Sequence, residues 1–465
     1  MHVLFASAEV VPVVSTGGLG AATAGLTAAL RRAGHRVELV VPDYGGYPLQ
    51  DERCETIHLD PWIGAITVRT GTHAEVGPMH LVRFGGIERP HPYVDPDHAR
   101  GWGDNDHRFF GFSAVVAELA RRLGVDVVHL NDWHTAGALG RLPSAMPTVL
   151  TIHNLAHQGW ADSGWLANLG GAAHAYAWNG AVNALAGGIR LADRVVAVSP
   201  TYADEIRRDD LGMGLAPLLR DRGPSLRGIL NGIDTAEWDP SLDPTLVARF
   251  SSRDLDGKSA VHDALCDELG IDRGPGPLIT IVSRFDDQKG IDLLTSALPY
   301  LGSMPARLAV LGSGAPWLER AVYDAAAAAP GRIAAVIGYD ASLAHRLFAA
   351  GHLTVVPSRF EPCGLTQMQA MQYGTVPIVT DVGGLHDTVI DVDASPRSGT
   401  GIVIPRPDAL AVLDGLHRGV RLAANKRRYA SVQRRGMERD WSWDGPAEIY
   451  ADLYREVAGM GRSGA

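Results

Sequence analysis

Cysteine is scarce in this chain: Cys54, Cys266 and Cys363 are the three in 465 residues, far apart and without a CxxC pair. Such usage offers neither a disulfide framework nor a structural zinc site, and a reducing cytoplasm is the expected compartment. No uninterrupted apolar run reaches 18 residues, and the opening MHVLFASAEVV is apolar at once with no basic segment before it. A membrane span and a secretory leader therefore lack support. No block of basic residues stands out either. Lys and Arg total 42 against 52 Asp and Glu, a net charge of −10, which disfavours nucleic acid and anionic membrane as partners. Lysine itself is nearly missing, present at 258, 289 and 426 only, so a lysine that is retained draws attention.

What is present is ordinary globular material. Hydrophobic residues make up 46 % of the chain, with 54 Gly and 28 Pro to supply turns, and the length suits two to three domains. Apolar runs and helix-like segments alternate from the start. HVLFASA (2–8), the turn TGGLG (16–20), the helix-like AATAGLTAALRRAG and the run VELVVP (37–42) read as strand, glycine loop, helix and strand of a parallel sheet. The rhythm continues with helix 111–124, strands 126–130 and 147–153, a helix over AVNALAGGIRLA (181–192) and strand 194–200. It breaks between about 235 and 277, then resumes with strands at 278–285, 307–312, 332–338, 353–358 and 375–380, with helices between them. The expected fold is α/β: two Rossmann-like, doubly wound parallel-sheet domains with a cleft between them. Residues 1–240 form the first domain and 241–440 the second, with a C-terminal helix in 441–465 that packs back across the linker.

Several motifs fall at strand ends, where open α/β sheets place ligands. Gly17 and Gly18 lie in a loop that follows a strand and opens a helix, so their amides suit a diphosphate, although glycines at such turns also serve packing. The loop has neither the GK[ST] ending of a Walker A motif nor the GxGxxG spacing of nicotinamide enzymes. SRFDDQKG puts Arg284 and Lys289 after the first strand of the second domain. There they either steady a departing diphosphate or pair with Asp286 or Asp287. PSRFEPCGLTQ places Glu361 and the amides of Gly364, Leu365 and Thr366 at another strand end. The carboxylate can balance charge on a reacting ring, or simply favour the start of the helix. NDWHTA and TIHNLAHQG offer Asp132, His134, His153, Asn154 and His157 to one edge of the first sheet. Their spacing matches no zinc signature, and no metal is expected. Asn231, Tyr339 and the GSG at 312–314 are further candidates that turns or caps would also explain. Cys363 reads as structural.

In order, SAEVVP, TGGLG, NDWHTAGAL, TIHNLAHQG, ADRVVAVSPTYADEI, ILNGIDTAEWDP, SRFDDQKGIDLL, LGSG, IGYD and PSRFEPCGLTQMQAMQYGTVPIVTDVGGLHDTV make the chain resemble the bacterial glycogen synthase and plant starch synthase family of retaining glycosyltransferases. The resemblance implies a GT-B fold and a nucleotide-activated donor, ADP-, GDP- or UDP-linked, bound mainly to the C-terminal domain. It implies a sugar or glucan acceptor and no separate cofactor. By the family pattern Arg284 and Lys289 hold the diphosphate, Glu361 faces the transferred ring and His153 contacts the sugar near the reacting carbon. Tyr339 stacks on the base, while Cys363, Gly364, Leu365 and Thr366, with Gly17 and Gly18, lie along the donor. Asp132, His134, His157 and Asn231 fall on the acceptor side. Transfer is then expected without metal and with retention, the diphosphate leaving on the face that the acceptor attacks.

Departures from the pattern concern substrate choice. The family signature KTGGLGD reads Ser15-Thr16-Gly17-Gly18-Leu19-Gly20-Ala21 here, losing a lysine and an aspartate. A lost charged hydrogen bond in a donor site costs about 1.5–3 kcal/mol, roughly ten- to a hundredfold. His157 replaces the aromatic of HNLAYQG, and Met368-Gln369-Ala370-Met371-Gln372 replaces Leu-Tyr-Ala-Leu-Arg. The expectation is a synthase-like scaffold redirected to another donor or acceptor. A pseudoglycosyltransferase of aminocyclitol biosynthesis, as in the acarbose group, is one form. ADP-glucose-dependent glycogen synthesis and a non-catalytic glucan- or nucleotide-binding role are the alternatives.

Overall fold

Where apolar residues dominate, as in VLFA, VVHL and TVLTI, the chain forms strands buried on both faces, the signature of parallel sheet covered by helices. The structure is a computed structural model that describes residues 1–95 and 100–463. Two units make up the chain: Met1–Gly232 with Trp443–Ala465, and Ile233–Ser442.

The first unit holds a nine-stranded sheet. Its strands lie in the order Leu226–Gly228, Arg194–Ala197, Thr148–Ile152, Val127–Asn131, His2–Ala6, Arg36–Pro42, Gly77–Arg83, Ala65–His73 and Gln50–His58. The first seven run parallel, and the last two add an antiparallel meander. The outermost strand, QDERCETIH, is exposed at all but one position, its charges discouraging further strand pairing. Helix Gly18–Arg32 buries Leu19, Ala22, Leu26, Ala29 and Leu30 on one stripe. Of the expected helix over 181–192, the first three residues form a short strand, Ala181–Asn183, and the helix is Ala184–Leu191.

The C-terminal helix Asp444–Ser463 is part of this unit. Trp443, Ala447, Tyr450, Tyr454 and Val457 share a core with Val3, Phe5 and Leu26. A Cβ on Gly25 would sit 2.0 Å from the Trp443 indole nitrogen. Beneath the helix, the buried His129 ring meets the Tyr454 hydroxyl at 2.6 Å and Thr151 Oγ1 at 2.7 Å.

The second unit carries six parallel strands in the order Ile333–Ile337, Arg307–Gly314, Leu278–Phe285, Leu353–Val356, Val376–Thr380 and Ile402–Ile404. Its start corrects the boundary expected at 240, because the unit begins at Ile233. Trp238 stacks on His345 at 4.0 Å, and Asp243 Oδ2 accepts from the Tyr373 hydroxyl at 2.5 Å and lies 2.8 Å from His345 Nδ1. Those contacts hold the irregular segment after Ile233 on the second unit. At the other end, Trp443 rather than residue 441 returns the chain to the first. Among the described residues no helix is long and apolar enough to cross a membrane.

Each sheet has one switch point, where successive connections leave in opposite directions. In the first it lies between His2–Ala6 and Val127–Asn131, and in the second between Leu278–Phe285 and Leu353–Val356. Ligands of such sheets sit beyond the carboxyl ends of the strands at these points.

Candidate functional site

In the second unit the switch point brings Lys289 and Glu361 together. The Lys289 ammonium donates to Glu361 Oε2 at 2.6 Å, and Ser358 Oγ donates to the same oxygen at 2.9 Å. The Glu361 side chain is 6 % exposed and that of Lys289 20 %, so the pair lies mostly out of water, where charge acts with little screening. Backbone geometry supports this placement. Asp286 Oδ1 accepts from the Lys289 amide at 3.0 Å. Gly290 follows at φ +65, and a Cβ there would fall 2.1 Å from the Pro357 carbonyl oxygen, so the two strand-end loops approach closely only because residue 290 is glycine. Arg284 is more exposed and pairs with Asp286 at 3.2 Å. Of the two pairings considered from sequence, Arg284 thus takes Asp286, while Lys289 takes Glu361 instead of a neighbouring aspartate.

Gly364 adopts φ +72 and leads, through Leu365, into the short helix Thr366–Gln372, whose start has no side-chain cap. Cys363 is buried and free of disulfide. Tyr339 projects into solvent, 92 % exposed.

In the first unit, Asp132, His153 and Asn154 form one cluster at the switch point. Asp132 Oδ1 accepts from the His153 amide at 2.7 Å and the Asn154 amide at 3.4 Å. Asp132 has φ 55 and ψ −173, a region nearly reserved for glycine and costing a side-chain-bearing residue about 1–3 kcal/mol. Asn131 Nδ2 donates to the Ala6 carbonyl at 2.9 Å, which leaves its Oδ1 to accept from His153 Nε2 at 2.8 Å. Burial pushes the His153 pKa down to about 3. The ring is therefore neutral, with its proton on Nε2 and its lone pair on Nδ1.

His134 is buried between aromatic rings, 4.8 Å from Tyr93 and 4.6 Å from Phe109, and its Nδ1 has no hydrogen-bond partner. Burial holds its pKa well below the ordinary value. His157 is exposed and Asn231 buried. Among the described residues no group of three or more His, Cys, Asp or Glu side chains is gathered as a metal site requires.

Burial drives the Asp132 pKa up to about 7, against the opposing pull of the two amides. Between pH 4 and 7 the unfolded chain releases this proton while the folded protein keeps it, so this group's contribution to stability falls as pH rises through that window. Asp132→Asn is expected to match wild type near pH 4 and to gain on it by up to about 4 kcal/mol at pH 8. Thermal melts of both proteins across that range check this, and a gap that stays constant would refute it.

Gly17 and Gly18 are exposed. Gly17 has an extended backbone, φ −174, and a Cβ there would meet nothing within 4 Å. The fold therefore does not require glycine at 17. The helix that follows has no side-chain cap, leaving its first amides available to an anion.

Sequence reasoning missed Glu9 and Tyr93. Glu9 is 3 % exposed and accepts from the Thr16 amide at 2.7 Å, Thr16 Oγ1 at 2.9 Å and the Tyr93 hydroxyl at 2.6 Å. An acid inside the apolar opening, close before the glycine loop, was the available signal.

Residues 2–221 match the family model for the starch synthase catalytic domain, and residues 271–432 that for glycosyl transferases group 1. The chain is 38 % identical to the glycogen synthase of Dechloromonas aromatica (strain RCB), covering 98 % of each. It is 41 % identical to that of Methylocella silvestris, over 98 % of this chain and 99 % of the relative. The catalytic domain of starch synthase IV from Arabidopsis thaliana, solved with ADP and acarbose, superposes with a TM-score of 0.89 at 30 % identity, covering 98 % of this chain and 99 % of that one. Two parallel-sheet α/β units of this kind define a glycosyltransferase with the GT-B fold. Within that class the chain belongs to the glycogen synthase and starch synthase family.

Proposed function

We propose that this glycogen-synthase-like glycosyltransferase is a retaining transferase redirected from α-1,4-glucan extension to a different donor, acceptor or both. Coupling of a nucleotide-activated cyclitol to an amino or phosphorylated sugar is one such reaction. The observation that carries the redirection is Ser15. Where the family signature has lysine, the Ser15 side chain is spent on the Gly17 carbonyl, 3.1 Å away, and residues 10–20 contain no Lys, Arg or His. This loop therefore offers a donor phosphate backbone amides but no cationic side chain of its own.

The leaving-group groups of the second unit support transfer rather than binding alone. Arg284, Lys289 and the Gly364–Thr366 amides would stabilise the departing diphosphate, as preorganised positive charge does in a site shielded from water. Bond order moves from the donor carbon–phosphate oxygen bond to a bond with the acceptor oxygen or nitrogen. The acceptor proton passes to the departing phosphate oxygen on the same face. No metal is required if these groups already neutralise that charge. Reaction in the cytoplasm belongs to the same reading.

Nucleoside-diphosphate release is the test, with ADP-, GDP- and UDP-linked donors each offered glycogen or a small amine-bearing sugar. Slow release from ADP-glucose with glycogen, and turnover with another pairing, is expected. Ser15→Lys should raise ADP-glucose turnover about tenfold by restoring one charged contact. Rapid chain growth by the unaltered protein would instead make it a glycogen synthase, the reading favoured by the 38–41 % identity to those enzymes.

A further inference from the structure

The glycine loop owes its shape to a carboxylate placed behind it. Residues 7–17 leave strand His2–Ala6, turn and enter helix Gly18–Arg32, and within this span Glu9 takes up both polar groups of Thr16, its amide and its hydroxyl. Its Oε1 also receives the Tyr93 hydroxyl, 84 residues away in sequence. Three donors on one buried carboxylate anchor residue 16 immediately before Gly17 and Gly18, the positions whose amides open the helix. A negative group this close to an anion-binding loop would ordinarily oppose anions. Engaged by three donors and 3 % exposed, Glu9 directs its hydrogen bonds to the loop instead of to a ligand.

Tyr93 has a second contact: its ring stacks on His134 at 4.8 Å with 29° between planes. His134 lies in the short helix Trp133–Ala136 that Asp132 precedes, and carries the unpartnered buried Nδ1. One side chain thus bridges the glycine loop and the Asp132–His134 segment, both at the switch point of the same sheet.

We infer that Glu9, Thr16 and Tyr93 are positioning residues for the donor. They hold the Gly17 and Gly18 amides in the arrangement that receives the diphosphate, without touching it. This rests on the reading that the glycine loop meets that diphosphate, so the experiment separates the two. Gly17→Ala tests the reading, because its methyl group meets no protein atom within 4 Å and can collide only with a ligand. Tyr93→Phe and Thr16→Val test the positioning, each removing one hydroxyl from Glu9 with little change of shape.

Donor KM, acceptor KM, kcat and melting temperature are measured for each full-length variant. ADP, GDP and UDP are titrated calorimetrically as diphosphate probes. Tyr93→Phe and Thr16→Val should each weaken nucleoside-diphosphate binding and raise donor KM about tenfold, with kcat and acceptor KM within about twofold. Thr16→Ser, which keeps the hydroxyl, should recover most of the affinity that Thr16→Val loses. If Gly17→Ala weakens the diphosphate while Tyr93→Phe and Thr16→Val do not, the positioning role is overturned and the loop reading stands. If Gly17→Ala binds all three nucleotides as wild type does, the loop reading fails and the positioning role with it. Losses in kcat and both KM values that simply track a lowered melting temperature would mark the three residues as structural and overturn the inference.

Discussion

Lys289→Ala is expected to lower turnover by about a hundredfold or more on any accepted donor, and to weaken nucleoside-diphosphate binding as well. Two effects add. The variant removes a cation from the switch point of the second sheet, and it leaves Glu361, 5 % exposed, as a buried carboxylate facing the ligand with Ser358 Oγ still at 2.9 Å. On the proposed mechanism, that uncompensated charge would repel the diphosphate that the lysine attracts. Glu361→Gln should behave differently. It keeps the side-chain volume, removes the repulsion and releases the Lys289 ammonium from its 2.6 Å partner. On the proposed mechanism, diphosphate binding is then retained or tightened a few-fold, while turnover falls because the charge proposed to face the transferred ring is gone. Steady-state kinetics with nucleotide titrations distinguishes the two profiles. Full turnover by Lys289→Ala would remove the clamp from the mechanism, and equal losses of affinity in both variants would show that the pair acts only as a structural unit.

Local pattern carried much of this in the sequence. LITIVSRF, RLAVLG and TVPIVT read as strands because both faces of a parallel sheet are buried and aliphatic residues dominate each run. The motifs at their ends therefore fall on loops. What the pattern missed depends on partners distant in the chain. The first unit ends at Gly232, not 240, because Trp238 and Asp243 find His345 and Tyr373 about a hundred residues later, and no local signal announces that clamp. The strand Gln50–His58 escaped because an exposed edge strand lacks the alternation that betrays a half-buried one. Glu9 was visible as an acid in an apolar run, yet its role needs Tyr93, and the stacking of Tyr93 needs His134. Asp132 stood in a motif, but its glycine-like backbone could not be inferred from residue type.

Scarcity of lysine pointed to a second residue whose part is not chemical. Lys258, on helix Asp256–Leu269, is buried, and no carboxylate shares its surroundings among the contacts described. Its ammonium donates to the carbonyls of Ala349 at 2.6 Å, Tyr373 at 2.8 Å and Phe348 at 3.3 Å, and to Thr375 Oγ1 at 3.1 Å. These oxygens end helices Ala341–Ala350 and Thr366–Gln372, where the final carbonyls lack intrahelical donors and the dipoles favour positive charge. One side chain thereby joins two helix C-termini, the second belonging to the helix that starts beside Glu361. Lys258→Met retains the stem but takes the ammonium from the Ala349 and Tyr373 carbonyls, while the Phe348 carbonyl keeps the Thr375 hydroxyl at 2.5 Å. It should destabilise the second unit by about 3–5 kcal/mol. Because two units need not melt together, proteolysis followed by mass spectrometry is the appropriate measurement. Cleavage within residues 233–442 should accelerate strongly, while residues 1–232 stay protected. Arginine is no remedy, since its planar fork cannot converge on four oxygens arranged around a single nitrogen. Wild-type protection of Lys258→Met would mean that the two helix ends find other donors and that this lysine is dispensable to the fold.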